Sequence, residues 1–594
     1  MFLGHEAMIN APHHRLLTAA RERPFEIGAS LFLSTIALSH IQWLFKIGPI
    51  FTGLREVVFL LSLISLVWAS SELVGERQLP RLVFSTVILL GFVASSLVVN
   101  RYLFDLSSDT LTSHFELARS IATGVPPYFE SSVEGSLDEY SVLGVSFHMF
   151  AGIGFNLGLT RNPFIFPYLH MALLATSALI SWGRNYVSRR HVWIAACITV
   201  FAFPTLAQQL LTGYRDGYSG LAVLTCAVLI IDGWVRRFRD SSTFLLALVF
   251  SACLPSIKLS LAPTALLLGA TCVVGLITSN GINYMFRIRT FVVAVLVVLL
   301  WAFPVIFALF TSNETSQSLL STEAITTTWS GSSERLLQMN VIQEFGTLMF
   351  GIVQQNPPDI VWGVPFQIPS RSELLVSGRC DPRLAGFGPW FGEAFVFALL
   401  AAVTATVALR RISAVDSTNA YGRAQNQRRT RDVGIYWWLA LVMITSFLLM
   451  PFRFNSRYVV QLYVLLLLLI AISLMSRHSK NRYALVARIL CVASLAFLIA
   501  NSLFAWYGAA NVAVEGRRLT LELIDNYVDR VDEAPSTVKY SIITGGKWGI
   551  HRYLPSQTPE GRAVMVELSC NPDTSTRVYW LGDDIGICQH NVAD

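Results

Sequence analysis

The sequence predicts an all-α polytopic membrane protein with about thirteen spanning helices, and three observations carry this prediction. Apolar residues make up 53% of the 594 residues, while charged residues make up 14%. A soluble protein typically has about a quarter of its residues charged, so much of this surface is expected to face lipid. The mean hydropathy is +0.54, and the apolar residues are gathered into runs of about 20, the length that crosses roughly 30 Å of hydrocarbon.

These runs divide the chain into three parts. Residues 1–27 form a polar N-terminus without the short apolar core and small-residue cleavage site of a signal peptide, so the first run is expected to remain as an anchor. Residues 28–509 form the transmembrane domain, and residues 510–594 form a polar tail. The predicted spans are 28–45, 55–74, 80–100, 163–183, 191–211, 217–235, 241–255, 259–279, 290–311, 390–409, 433–452, 458–475 and 486–507.

Basic residues in alternate loops predict the orientation, because cytoplasmic loops carry an excess of lysine and arginine. With the N-terminus cytoplasmic, five basic loops fall on that side together and the C-terminus is extracytoplasmic, which predicts a multi-pass protein of the inner (plasma) membrane. The apolar stretch 141–160 is read as an interfacial or re-entrant helix, since a crossing there would move every later basic loop outside. The basic residues concerned are Arg184, Arg189 and Arg190; Arg236, Arg237 and Arg239; Arg287 and Arg289; Arg410, Arg411, Arg423, Arg428, Arg429 and Arg431; and Arg477, Lys480 and Arg482.

Three regions are then expected outside the cytoplasm: 101–162, 312–389 and the tail. The second is predicted to contain an amphipathic helix from Ser333 to Asn356, stopped by the two prolines that follow. The tail is predicted to be a small α+β module with strands at 539–544, 563–568 and 577–581. Cys570 and Cys588 both lie in it and are candidates for a disulfide, because such bonds persist outside the cytosol.

Asp109 is the candidate catalytic residue of the first outer loop. It follows two serines and opens a helical stretch with an apolar side. A carboxylate partly desolvated near the membrane surface is suited to take a proton from an acceptor hydroxyl. The alternative is that Asp109 only caps the helix, through its side chain or its charge at the N-terminus.

Two further charged positions lie near the predicted outer ends of helices. Arg215 and Asp216 are adjacent in a very short loop, TGYRDGYSG, where polar turn chemistry explains much of the pattern and a phosphate partner with a second carboxylate is the alternative. Lys258 lies between two apolar runs. Its ammonium is expected either to snorkel to the interface or to pair with the phosphate of a lipid.

The segment PFRFNSRY places Arg453 and Arg457 on another short outer loop, against the charge bias of that side. Arginine makes bidentate contacts to phosphate, and two arginines four residues apart can share a helix face. Anchoring at lipid headgroups is the alternative interpretation.

Several classes of site are not indicated by any motif. The sequence has no Walker loop, dinucleotide fingerprint, paired CxxC or HExxH. Carboxylates could hold a divalent metal, but no spacing specifies one. Binding of nucleic acid is not expected, because no soluble basic face is interleaved with stacking aromatic residues.

Over roughly residues 80–510 the arrangement resembles the GT-C superfamily, the membrane glycosyltransferases that use polyprenyl-phosphate-linked sugars, and is similar to protein mannosyltransferases and aminoarabinose transferase-like proteins. The resemblance rests on SSDTLTSHFELARSIATG with Asp109, on EYSVLGVSFHMFAGIGFNLG as a second juxtamembrane helix, on the RDGY turn and on RFNSRYVVQLYVLLLL. This chain has two additional spans before the acidic loop, and Asp109 is single rather than paired.

The resemblance implies transfer of a sugar from a polyprenyl-phosphate donor to an extracytoplasmic glycan, lipid or protein acceptor. Asp109 would then be the general base and Asp216 would orient the acceptor or a metal. The phosphate would be held by Lys258, Arg453, Arg457 and Arg215. A transporter or flippase of a lipid-linked or anionic substrate, and a non-catalytic membrane assembly protein, are the alternatives.

Overall fold

The computed structural model describes the transmembrane part of the chain most fully. The helices are α1 Pro24–Leu44, α2 Ile50–Ser70, α3 Gln78–Tyr102, α4 Phe115–Ala122, α5 Ser146–Asn156, α6 Ile165–Gly183, α7 Arg189–Phe201, α8 Pro204–Gln209, α9 Asp216–Arg236, α10 Ser242–Ile257, α11 Ala262–Asn280, α12 Val341–Phe350, α13 Phe391–Val415, α14 Ala420–Leu448, α15 Gln461–Met475 and α16 Arg482–Asp532. The described residues are 23–44, 50–74, 77–103, 114–122, 146–160, 162–183, 189–236, 242–280, 292–293, 295–296, 338–355, 358–362, 366, 387–415, 420–450, 459–476, 481–532, 538–543, 564–567, 576–582 and 585–591.

Eight of the described helical segments are long and apolar enough to cross a membrane, which is the architecture of an integral membrane protein. They lie in α1, α2, α3, α6, α9, α11, α13 and α16, and α10, α14 and α15 supply three shorter apolar helices. Apolar side chains cover the outside of the bundle as well as its interior: α3 exposes Leu82, Val83, Val87 and Leu90 by more than half. An apolar surface on helices of this length is typical of a protein that lies in hydrocarbon.

The predicted fifth span, 191–211, is not one helix. Helix α7 ends at Phe201, and α8 begins three residues later at Pro204. Proline has no N–H to donate and is accommodated in the first turn of a helix, so Pro204 starts a new helix of six residues instead of continuing α7. The predicted ninth span, 290–311, falls almost wholly outside the described residues.

Helix α5 lies within the stretch predicted to be interfacial. Its 11 residues span about 16 Å, half the thickness of the hydrocarbon core. Its side chains from Ser146 to Gly154 are buried. The described helix therefore packs among its neighbours and is too short to cross the hydrocarbon core by itself.

The centre of the bundle is aromatic. Phe32 of α1, Phe59 of α2 and Phe150 of α5 surround the buried ring of His170 on α6, with ring centroids 4.4–5.6 Å from it. Helices α2 and α6 run parallel, since Phe59, Ser62 and Ser70 meet Phe166, His170 and Ser177 in that order. The N-termini of α2, at Ile50, and of α6, at Ile165, therefore lie at the same end of the bundle.

The helix predicted from Ser333 to Asn356 is shorter in the structure. Asn340 caps α12 by accepting from the backbone N–H groups of Ile342 and Gln343, and the Gln343 side chain accepts from Asn340 N in return. Helix α12 ends at Phe350, and the next residues form β1, Gly351–Gln355, paired antiparallel with β2, Pro358–Trp362. The prediction was wrong at both ends of the described part of this helix, because it missed the asparagine cap and the hairpin.

Four strands follow α16: β3 Val538–Ile543, β4 Val564–Glu567, β5 Thr576–Gly582 and β6 Ile585–Asn591. They form a sheet of order β4-β3-β6-β5 in which β3 and β4 are parallel and the other pairs are antiparallel. Cys588 lies opposite Ser541 in β3 and Val578 in β5. Cys570 is outside the described residues, so the candidate disulfide remains a prediction.

Candidate functional site

The turn between α8 and α9 positions the first charged group of the site. Asp216 is the first residue of α9, where a carboxylate is favoured by the unpaired N–H groups and the positive end of the helix dipole. The next residue is glycine because the two helices nearly touch. A Cβ on Gly217 would lie 2.9 Å from both Leu206 Cα and Thr205 O of α8. The close crossing holds Asp216 inside the bundle, where it is 1% exposed.

Asp216 forms a buried ion pair with Lys258. The Nζ of Lys258 donates to Asp216 Oδ1, and the lysine residue is 6% exposed. Lys258 stands at the end of α10, just before the 3-10 turn Leu259–Leu261 that leads into α11. Both charges are thus removed from solvent and compensate each other, which a lysine that snorkels to the interface would not do.

A glutamine and two tyrosines complete the surroundings of the carboxylate. Gln209 Nε2 donates to Asp216 Oδ2 over 2.8 Å, and its Oε1 accepts from the backbone N–H of Gly217 over 3.0 Å. The hydroxyl of Tyr168 donates to the backbone carbonyl of Tyr214 and lies 3.4 Å from Gln209 Oε1. Each carboxylate oxygen therefore has its own donor, and the orientation of Asp216 is fixed by three elements: α8, α9 and α10.

A pair of histidines lies next to this cluster. His114 Nδ1 and His148 Nε2 are 2.8 Å apart, and the two buried rings stack with centroids 4.9 Å apart. One nitrogen of such a pair donates and the other accepts, so at least one of the two rings is neutral. The His114 ring also meets Tyr214 edge-on at 6.3 Å. Helix α5, which carries His148, is joined to α10 through Ser146 Oγ and Ser256 Oγ, 2.7 Å apart.

The structure brings together some of the residues predicted from the sequence. Asp216 and Lys258 are in contact, and the adjacent Arg215 is 6% exposed at the same turn. Asp109, Arg453 and Arg457 lie outside the described residues. His114, which lies beside the cluster, is the first described residue after the segment that carries Asp109.

Sequence reasoning missed Gln209, Tyr168 and His148 as members of the cluster. Tyr168 and His148 are isolated polar side chains within apolar runs, and such residues are more often satisfied locally than grouped. A usable signal existed for Gln209, because two consecutive glutamines in a membrane-embedded stretch need partners.

A cavity of about 330 Å³ opens farther along α6 and α9, between these two helices and α7, α14, α15 and α16. It begins about 12 Å along α9 from Asp216, at Leu224, and extends to about 22 Å, at Ile231. Its walls are almost entirely apolar, with Asp432 as the charged residue of the lining. Other residues of the wall include Trp182, Val192, Val228, Tyr436 and Leu468. A space of this size and polarity accommodates a hydrocarbon chain more readily than a polar solute.

Among the described residues, no group of three or more histidine, cysteine, aspartate or glutamate side chains is arranged to hold a metal ion. Five cysteines of the described helices are free thiols within apolar surroundings: Cys197, Cys226, Cys253, Cys272 and Cys491. The described site thus consists of a buried ion pair and a histidine pair at one end of a helical bundle.

Neither a protein-family model, nor a curated protein sequence, nor a solved structure matches the chain.

Proposed function

We propose that the chain is a membrane glycosyltransferase that moves a sugar from a polyprenyl-phosphate donor to an acceptor outside the cytoplasm. One observation carries the proposal: the buried pair of Asp216 and Lys258 stands at one end of a bundle whose other half contains an apolar cavity. Replacing a buried ion pair by apolar residues is often neutral or stabilising, so such a pair is better explained by a functional role than by a contribution to stability. A lipid-linked substrate needs both a polar site and a path for its chain.

In the proposed reaction the acceptor hydroxyl gives its proton to Asp109 as its oxygen forms the new bond to the anomeric carbon. The bond from that carbon to the phosphate oxygen breaks, and the polyprenyl phosphate leaves with the electron pair. The charge on the leaving phosphate is stabilised by Arg215, Arg453 and Arg457, while Lys258 stays paired with Asp216. Preorganised cations of this kind stabilise charge that develops in the transition state. Asp216 then orients the turn that carries Arg215.

The proposal includes a topology. The N-terminus is cytoplasmic, about thirteen helices span the inner membrane, and the first outer loop, residues 312–389 and the tail with its α+β module are extracytoplasmic. The support is the arginine-rich loops that coincide on one side under this assignment. Cysteine labelling from outside at introduced positions in 123–145 and in 184–188 tests it, since only the first should react in intact cells.

The direct test uses purified protein and a panel of polyprenyl-phosphate-linked hexoses and pentoses labelled in the sugar. Membrane extract supplies the acceptors, and the measured quantity is label lost from the lipid. We expect loss for at least one donor and a fall of at least about 100-fold in Asp109→Asn, the usual contribution of a general base. No turnover of any donor, or an Asp109→Asn variant as active as the wild type, would contradict the proposal.

A transporter or flippase is the second candidate, and one observation favours it. The backbone is broken between Phe201 and Pro204, next to the buried ion pair, and transporters form their substrate sites from discontinuous helices. Movement of a fluorescent polyprenyl phosphate across the bilayer of reconstituted vesicles, without any loss of label from the sugar donors, would support this candidate. A chain that acts only in assembly would tolerate Asp109→Asn and fail on deletion of residues 533–594.

A further inference from the structure

Arg55 is a buried arginine in the second turn of α2. Its residue is 1% exposed, and its Nε and Nη2 atoms have no hydrogen-bond partner within the described part of the chain. The carboxylate of the next residue, Glu56, lies 3.9 Å from Nη2, too far for a hydrogen bond. Glu56 instead accepts a 2.7 Å hydrogen bond from Asn156 Nδ2 at the end of α5. The guanidinium thus presents two unused donors.

An unsatisfied guanidinium is costly in a membrane helix. Arginine stays protonated in proteins, so the group cannot relieve its burial by becoming neutral. Its planar fork matches the oxygens of a phosphate, with two parallel N–H donors. An anion that brings two oxygens to Nε and Nη2 would satisfy both, and no described protein group does so.

The position of Arg55 matches the depth of lipid headgroups. The apolar segment of α2 begins at Thr52, so Arg55 lies about 4.5 Å inside its end. On either side, α2 exposes Leu54 by 45% and Val57 by 53%, and Leu61 continues that lipid-facing stripe. Nε and Nη2 are themselves closed off from solvent, so a headgroup whose chains lie along the stripe reaches them only where the side chains around the guanidinium move aside.

This position is separate from the cluster around Asp216. Both lie at the same end of the bundle, but α5 stands between them. His148 on that helix faces the cluster and Asn156 faces Glu56, and these two residues are about 12 Å apart along the helix. The Arg55 position belongs to α2, which also lies outside the part of the chain that resembles known glycosyltransferases.

We propose that Arg55 is a phosphate-binding site at the membrane surface, in which Nε and Nη2 donate to two oxygens of one phosphate group. The phosphate comes either from a phospholipid headgroup or from free phosphate in solution. The site does not depend on the proposed glycosyl transfer.

The test is the thermal unfolding midpoint of the full chain purified in a maltoside detergent, which contains no phosphate. One arm adds phosphatidylglycerol, with diacylglycerol of the same chains as the lipid without phosphate. The other arm adds inorganic phosphate, with chloride at equal ionic strength. We expect the midpoint to rise by several degrees in one arm, which identifies the source. Because binding to the folded state stabilises it, the rise should increase with ligand concentration.

Three variants make the test specific. Arg55→Met should be at least as stable as the wild type in detergent alone, because a buried charge with unsatisfied N–H donors is removed, and should show no rise in either arm. Arg55→Lys keeps the charge without the planar guanidinium and should retain less than half of the rise in the unfolding midpoint. This variant also tests the proposal if Arg55→Met does not fold. Arg488→Met removes an arginine of α16 that already donates to the Ala484 carbonyl, and should keep the full rise. A wild type that responds in neither arm, or a rise that survives in Arg55→Met or is undiminished in Arg55→Lys, would overturn the proposal.

Discussion

Breaking the ion pair between Asp216 and Lys258 should destabilise the protein more when one partner is removed than when both are. Asp216→Asn leaves the Lys258 ammonium buried without its counter-charge, and truncating one member of a buried pair typically costs about 3–5 kcal/mol. Lys258→Met leaves the carboxylate with Gln209 and the helix N-terminus, so we expect about 3 kcal/mol. In the double variant no charge is stranded, and the asparagine oxygen can still accept from Gln209. That variant should lose only about 1–2 kcal/mol.

The coupling between the two positions should therefore be at least about 4 kcal/mol. It can be measured by equilibrium unfolding in mixed micelles titrated with dodecyl sulfate and followed by far-ultraviolet circular dichroism. The control is the exposed pair of Glu515 and Arg518, 2.6 Å apart and more than half exposed, where Glu515→Gln should produce no measurable change. A double variant whose loss equals the sum of the two single losses would refute the buried pair.

Two further predictions concern backbone geometry. Gly217→Val should destabilise the bundle by about 1–3 kcal/mol, because its Cβ would lie 2.9 Å from backbone atoms of Leu206 and Thr205. The control is Gly434→Ala, whose Cβ meets nothing within 4 Å. Equal losses of unfolding free energy in the two variants would contradict the close crossing of α8 and α9. Asn340→Ala should lower the free energy of unfolding by about 1 kcal/mol by removing the cap of α12, whereas Asn340→Asp should retain the cap. Equal protease sensitivity of the two variants in this region would contradict the capping box.

Some parts of the fold could be predicted from the sequence because they depend on local properties. Runs of apolar residues predicted the positions of long helices such as α3 and α13 to within a few residues. The fifth predicted span failed because hydropathy does not distinguish one helix from two consecutive ones. Pro204 was the available signal, and its position in a first turn shows why the helix restarts there.

Some residues of the candidate site could be predicted from the sequence, but the contacts between them could not. Charged residues in an apolar chain are conspicuous, so Arg215, Asp216 and Lys258 could be selected from the sequence. Their relation could not. Asp216 and Lys258 were assigned separate tasks, as an orienting group and a phosphate ligand, although they are partners 42 residues apart. The two histidines that stack are separated by 34 residues: His114 directly precedes α4, and His148 lies on α5.

The sequence by itself determined that the chain is a membrane protein, because transfer of a segment into lipid depends only on the composition and length of that segment. The neighbours of each buried polar group were decided only by the tertiary structure. Lipid and protein core are equally apolar, so hydropathy does not reveal which face of a helix turns inward. Close contacts such as that of Gly217 with α8 set the helix packing, and the packing brings Lys258 to Asp216 while leaving Nε and Nη2 of Arg55 without a hydrogen-bond partner among the described residues.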